Sequence, residues 1–213
     1  MIILGLTGSI GMGKTVAADT FRRLGVPVHD ADLTVHQLMA PDGKAFDEIS
    51  RLFPDVIENG AINRRKLGDI VFVNPPELKK LENILHPQVK AHKHKFLATA
   101  ARRQVPLVVL DVPLLFEGGG QGRCDGTVVV TAPAFVQRAR VLARSGMTVE
   151  KFQAIRANQL TDAEKRKLST FVVQTGNGRL ESLRMIRNII TETKNWQGRH
   201  WPPVPDRFCG KLN

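Results

Sequence analysis

Hydrophobic positions in this 213-residue chain follow two patterns. Short stretches with apolar side chains on consecutive positions lie at Ile2 to Leu6, Val26 to Val28, Leu107 to Leu110, Thr127 to Thr131 and Phe171 to Val173. Such runs suit strands buried on both faces of a parallel sheet. Between them the apolar residues recur at helical spacing: from Val16 to Leu24, through Leu33 to Ala101, after Ala132-Pro133, and from Leu180 to Thr193. The long segment from Leu33 to Ala101 is punctuated by Pro41-Asp42-Gly43, Asn59-Gly60 and Asn74-Pro75-Pro76, needs no strand, and contains a helix expected to stop at His86-Pro87. The pattern predicts an α/β fold with a five-stranded parallel sheet flanked by helices. The core takes residues 1–33, 102–136 and 168–198; 34–101 is a helical insertion, 137–167 a helical lid and 199–213 a Pro-rich tail with no assigned role.

The first apolar run empties into Gly8-Ser9-Ile10-Gly11-Met12-Gly13-Lys14-Thr15, which fits G-x-x-x-x-G-K-[ST] at every fixed position. Gly8, Gly11 and Gly13 permit backbone conformations closed to residues with a Cβ, so successive N–H groups turn inward around a phosphate chain. Lys14 brings a charge to the β- and γ-phosphates, Thr15 a hydroxyl for Mg²⁺, and the helix beginning at Val16 its positive end. A strand before the motif and a helix after it separate this P-loop from a chance glycine turn. Gly8, Gly11, Met12, Gly13, Lys14, Thr15 and Val16 are the expected ATP contacts.

Val26 to Asp32 reads as the second strand, closing on Asp30 and Asp32 at the sheet edge that carries the P-loop. In an extended strand the two carboxylates share one side; the alternative makes one of them a helix cap. The third strand ends at Asp111 as a Walker B strand does, making Asp111 a second candidate for the metal beside Thr15. Arg138, Arg140, Arg144, Arg156, Lys165, Arg166 and Lys167 surround the turn at Ser145-Gly146-Met147-Thr148, the composition of a lid that excludes water and brings arginines to a transferring phosphoryl group. His86, His92 and His94 match no standard zinc spacing.

Composition narrows the setting. Hydrophobic content of 42% and charged content of 24% describe an ordinary globular protein, and two cysteines, Cys124 and Cys209, make no disulfide framework. With no leader and no apolar run of membrane-spanning length, the expected location is the cytoplasm, without a membrane partner. The net charge of +11 calls for an anionic partner, yet the basic residues are dispersed and aromatics are few. Specific nucleic-acid binding is not expected; an ATP-gated nucleic-acid module is the alternative from another class. A monomer or weak oligomer is expected.

A P-loop, a short arginine-bearing lid and facing carboxylates suggest a small-molecule kinase, while the N-K-x-D motif of regulatory GTPases is absent. In phosphoryl transfer the protein positions groups and neutralises charge, and a carboxylate takes the acceptor's proton. Asp32 is the candidate base. A kinase for another small hydroxyl or nucleotide acceptor on the same scaffold stays open.

Over nearly its whole length the chain resembles the dephospho-CoA kinase family. The resemblance rests on the P-loop octet, Asp30-Ala31-Asp32, Arg64 with Leu67 and Phe72, His86-Pro87, Pro113-Leu114-Leu115-Phe116-Glu117, Arg138, and Arg156-Ala157-Asn158-Gln159 followed by Glu164-Lys165. It implies ATP-dependent phosphorylation of the ribose 3′-hydroxyl of dephospho-CoA, with MgATP as donor, Asp32 as base beside Asp30, and Lys14 and Arg138 on the phosphates. It also implies an acceptor pocket lined by Arg64, His86, Leu114, Phe116 and Glu117, and adenine contacts near Asn177. Departures are Ser9 where the family commonly has Gly, Met12 and Thr15 where it has Ser, and Gln174-Thr175-Gly176-Asn177 where an acidic residue accompanies the Asn.

Overall fold

A computed structural model describes residues 1–202; residues 203–213 of the expected tail, Cys209 among them, lie outside the described residues. In chain order the elements are β1 (Ile2–Thr7), α1 (Lys14–Arg23), β2 (Val28–Asp30), α2 (Ala31–Leu38), α3 (Phe46–Leu52), β3 (Ile57–Glu58), β4 (Ala61–Ile62), α4 (Arg64–Val71), α5 (Pro75–Arg102), β5 (Leu107–Asp111), β6 (Gly126–Thr131), α6 (Ala134–Leu142), α7 (Val149–Ala157), α8 (Asp162–Leu168), β7 (Phe171–Gln174) and α9 (Arg179–Thr193). They form two compact units. One holds Met1–His29 and the described chain from Ala100 onward; the other holds Asp30–Thr99.

The first unit carries a five-stranded parallel sheet in the order β2-β5-β1-β6-β7. β1, β5 and β6 are buried at every residue, as consecutive apolar positions require when both faces are covered. β1 pairs with β5 from Ile2↔Leu107 to Leu6↔Asp111 and with β6 from Leu4↔Gly126 to Thr7↔Val129. Strand order therefore changes direction at β1, and its carboxyl end is where such sheets bind ligands. Leu4, Leu6, Phe21, Val128, Val130 and Ile186 belong to the core that fastens α1 and α9 to the sheet.

The second unit has its own core, with Ile49, Phe53, Val56, Leu67, Val71 and Ile84 among its buried members. Two expectations fail here. The segment was to contain no strand, but β3 and β4 pair as an antiparallel hairpin, Ile57↔Ile62 and Glu58↔Ala61. Asn59 and Gly60, at φ 50° and 76°, make the left-handed two-residue turn that matches strand twist, and strands of two residues are too short to show alternation. Nor does the helix end at Pro87, which lies inside the 28-residue α5. An interior proline forfeits a hydrogen bond and costs about 3 kcal/mol. Burial on both sides of it, at Leu81, Ile84 and Leu85 and again at Leu97, keeps the helix continuous.

Candidate active site

The loop after β1 is shaped by its glycines. Gly11 and Gly13 stand at φ 76° and 88°, in the left-handed region that residues with a Cβ avoid. Space enforces the same choice. A Cβ on Gly8 would lie 2.4 Å from Val130 Cγ2, one on Gly11 2.5 Å from Val141 Cγ2, and one on Gly13 2.9 Å from Thr175 Oγ1.

Side chains beyond the motif pin the loop. Gln137 of α6, only 4% exposed, donates to Ile10 O at 2.8 Å, and Gln159, just past α7, accepts from Ile10 N at 3.1 Å. Thr175 Oγ1 donates to Met12 O at 2.6 Å, and Arg140 holds Thr175 through its hydroxyl at 3.1 Å and its carbonyl at 2.7 Å. Met12 itself is buried, and its sulfur accepts from Ala132 N at 3.2 Å. That contact gives the methionine a packing role which serine could not fill.

Lys14 opens α1 and reaches across to the end of β5, its Nζ 2.7 Å from Asp111 Oδ1. The Asp111 side chain is 2% exposed and that of Lys14 18%, so the ammonium keeps an open side while the carboxylate is sealed beneath it. Thr15 and Val16, in the first turn of α1, are exposed. The Thr15 hydroxyl and the Asp111 carboxylate are hard oxygen donors. Among the described residues no group of three or more His, Cys, Asp or Glu is placed to hold a metal. A sparse oxygen set fits Mg²⁺, which keeps waters and shares substrate phosphates instead of filling a protein cage.

Helices α7 and α8 are capped locally: Thr148 accepts from Lys151 N, and Thr161 and Glu164 form a reciprocal capping box at α8. A cavity of about 280 Å³ lies under them, lined among others by Ser9, Met12, Gln137, Arg156, Gln159 and Asp162. Arg138 is exposed on α6 and has no hydrogen-bond partner among the described residues, leaving its five donors for a ligand. Arg156 is exposed, its guanidinium carbon 5.6 Å from the Phe152 ring centroid.

Glu117 is engaged within the protein. Its Oε1 lies 2.9 Å from Nζ of the fully buried Lys165 and accepts from Leu160 N at 2.9 Å. Burial pushes the Glu117 carboxyl up, but Lys165 and the backbone N–H groups outweigh it and hold the group below its usual 4.5. In the same turn Leu114 is 47% exposed, whereas Phe116, 6% exposed, is a core position. Asn177 is exposed in the turn between β7 and α9.

In the second unit the carboxylates depart from expectation. Asp30 ends β2 and caps α2, accepting from Leu33 N at 2.9 Å, while Asp32 stands exposed in the first helical turn. The strand stops two residues early because this cap starts the helix at Ala31, so the shared-side argument from strand alternation does not apply. Arg64 is the exposed first residue of α4, behind Asn63, which accepts from Arg65 N and Lys66 N. His86 is exposed on α5, directly before Pro87.

The structure thus gathers Gly8, Gly11, Gly13, Lys14, Thr15 and Asp111 at one sheet edge. It adds Gln137, Arg140 and Thr175, which the sequence alone does not single out for any contact. Arg140 carries no signal apart from its basic neighbours, whereas a glutamine on the inward face of α6 is a faint one.

The Dephospho-CoA kinase family model matches residues 2–181. A dephospho-CoA kinase of Paramagnetospirillum magneticum is 56% identical over 166 residues, 78% of either chain. One from Mesorhizobium japonicum is 50% identical over 199 residues, covering 93% of this chain and 100% of that one. The crystal structure of TT1252 from Thermus thermophilus superimposes with a TM-score of 0.78 at 38% identity, over 90% of this chain and 97% of that one. Among the described residues no helix is long and apolar enough to cross a membrane.

Proposed function

Since the chain belongs to the dephospho-CoA kinase family, it phosphorylates the ribose 3′-hydroxyl of dephospho-CoA to give CoA, the last step of CoA synthesis, and we propose how its residues divide that work. ATP is the donor. Its phosphates lie in the glycine loop, at the N-terminal end of α1, with Lys14 and Arg138 as the cationic clamp and the turn at Asn177 beside the adenine. Thr15 and Asp111 would hold Mg²⁺, which would supply neutralisation of charge at the phosphate oxygens.

Asp32 takes the proton of the 3′-hydroxyl, and its exposure leaves the carboxylate open to the acceptor. Asp30, already capping α2, holds Asp32 in the first turn of that helix. Arg64, His86 and Leu114 contribute acceptor contacts, and Phe116 supports the turn that presents Leu114. The observation that carries the reading is the Lys14–Asp111 pair at the mouth of a loop whose left-handed glycines cannot be replaced without collision. ADP release with MgATP, compared among dephospho-CoA, adenosine, AMP, shikimate and no acceptor, tests it. Release that requires dephospho-CoA and yields CoA is expected; release with another acceptor overturns the substrate, and silence with all of them overturns the kinase reading.

A further inference from the structure

Glu117 belongs to the turn that family resemblance places in the acceptor pocket, yet its carboxylate is committed to the lid. Lys165 is 0% exposed, in a helix whose next two residues, Arg166 and Lys167, are exposed. A sealed ammonium is costly without a counter-charge, and Glu117, whose side chain is 17% exposed, provides it at 2.9 Å. The same Lys165 Nζ donates to Pro113 O at 3.4 Å, an oxygen that also accepts from Thr7 Oγ1 at 2.8 Å, one residue before the glycine loop.

Between α7 and α8 the chain forms a short strap, and two of its residues, together with the first residue of α8, are tied to the core. Gln159 Oε1 accepts from Ile10 N of the loop at 3.1 Å, and Glu117 Oε1 accepts from Leu160 N at 2.9 Å. Asp162 Oδ2 accepts from Thr131 Oγ1 of β6 at 2.9 Å. Arg156 is carried into this strap by the last turn of α7 and lines the cavity under the lid with Gln159 and Asp162.

We propose that Glu117 and Lys165 form a latch that seats the strap on the core, which makes them positioning residues for Arg156 and Gln159 and not contacts to the acceptor. The consequence for the reaction rests on the kinase reading above. With the latch closed, Arg156 and the glycine loop keep a fixed relation and water stays out of the cavity. With it open, the lid still folds but Arg156 is no longer held, and transfer loses orientation more than nucleotide binding loses affinity.

Glu117→Gln keeps the shape and an acceptor for Leu160 N but removes the charge that Lys165 needs. The expected result is a kcat lower by about 10- to 100-fold with KM for MgATP and dephospho-CoA within about twofold. Glu117→Asp, which retains the carboxylate, should recover part of that loss. Hydrogen exchange gives a readout independent of turnover: the Leu160 and Ile10 amides should exchange faster in Glu117→Gln while β1 and β6 amides keep their protection. Wild-type kcat and unchanged exchange in this variant would overturn the latch. So would a raised KM for dephospho-CoA at unchanged kcat, because that returns Glu117 to the acceptor pocket. If the wild type shows no dephospho-CoA-dependent ADP release, the kinase reading fails, and the exchange experiment still decides the latch.

Discussion

The two units present their candidate residues in opposite ways. In the sheet unit the glycine loop and its lysine are held by partners, Lys14 by Asp111, Ile10 by Gln137 and Gln159, and Met12 O by Thr175, itself gripped by Arg140, whereas Thr15, Arg138 and Asn177 stand exposed. In the helical unit Asp32 and Arg64 stand exposed in the first turns of α2 and α4, and His86 stands exposed within α5. A phosphate cradle works by dipoles fixed before the ligand arrives, so its geometry must be built into the fold. On the function proposed above, the helical unit receives a large flexible acceptor and can leave its charges in water until the acceptor organises them. Substitutions of the partnered cradle residues in the sheet unit should therefore damage folding and activity together, and those in the helical unit activity alone.

Asp32→Asn is the sharpest test. Loss of a general base typically costs 10²- to 10⁴-fold, and here kcat should fall by about 10³-fold with ATP affinity and Tm almost unchanged, because the exposed side chain supports no packing. Titration calorimetry, a thermal melt and the ADP assay check this together. Near-normal kcat would remove Asp32 from the base role; a clear fall in Tm would erase the contrast between the units.

Lys14→Ala should show the opposite signature. Turnover falls by about 10²-fold and ATP binding weakens with it. The fold suffers too, because Asp111, 2% exposed, is left without its cation, which should cost about 3 kcal/mol in a denaturant melt. Unchanged kinetics would mean the loop is not the phosphate site. Unchanged stability would mean Asp111 finds another partner and the cradle is less rigid than its contacts imply.

Arg138→Ala tests α6 in a different way, since this arginine lies in the sheet unit yet is exposed like the residues of the other. Removing a charged hydrogen bond made chiefly in the transition state should lower kcat about tenfold, with little effect on ground-state affinity or Tm. A pure KM effect would make Arg138 a residue that positions the nucleotide.

What could be read in advance follows the same division. The central strands β1, β5 and β6 are legible because burial on both faces writes runs of consecutive apolar residues, and the P-loop because its glycines answer to backbone geometry alone. The β3–β4 hairpin is not, since Ile57–Glu58 and Ala61–Ile62 are too short to carry a period, although Asn59-Gly60 marks its turn. Pro87 misleads because tertiary burial along α5 outweighs a local penalty. Asp30 and Asp32 are found as a pair, but the cap at Asp30 turns a strand end into a helix start. Lys165 is hidden for another reason. In Lys165-Arg166-Lys167 composition makes three equivalent cations, and only the packing of α8 decides which one is buried.

The smallest expected effect concerns the residues that the sequence leaves without a role. Asp125, with a side chain 4% exposed, accepts from Ile3 N at 2.7 Å and Arg199 N at 2.6 Å, and lies 3.0 Å from His200 Nδ1. Nearby, Trp196 stacks on Phe171 with ring centroids 5.5 Å apart. Burial pushes the Asp125 carboxyl up, but these N–H groups and His200 outweigh it and hold the group below its usual 3.8. A depressed carboxyl stabilises the fold above its ordinary value and loses that contribution as pH falls through the folded one. Asp125→Asn should therefore cost about 1 to 2 kcal/mol at neutral pH, a deficit that shrinks once the pH drops below 3.8, while kcat per folded molecule stays at the wild-type value. Thermal melts between neutral pH and pH 3, paired with turnover, check both halves. Because β1 runs from Ile3 into the glycine loop, a fall in turnover per folded molecule would show that the clasp is felt in the cradle. Support and chemistry could then not be separated within the sheet unit.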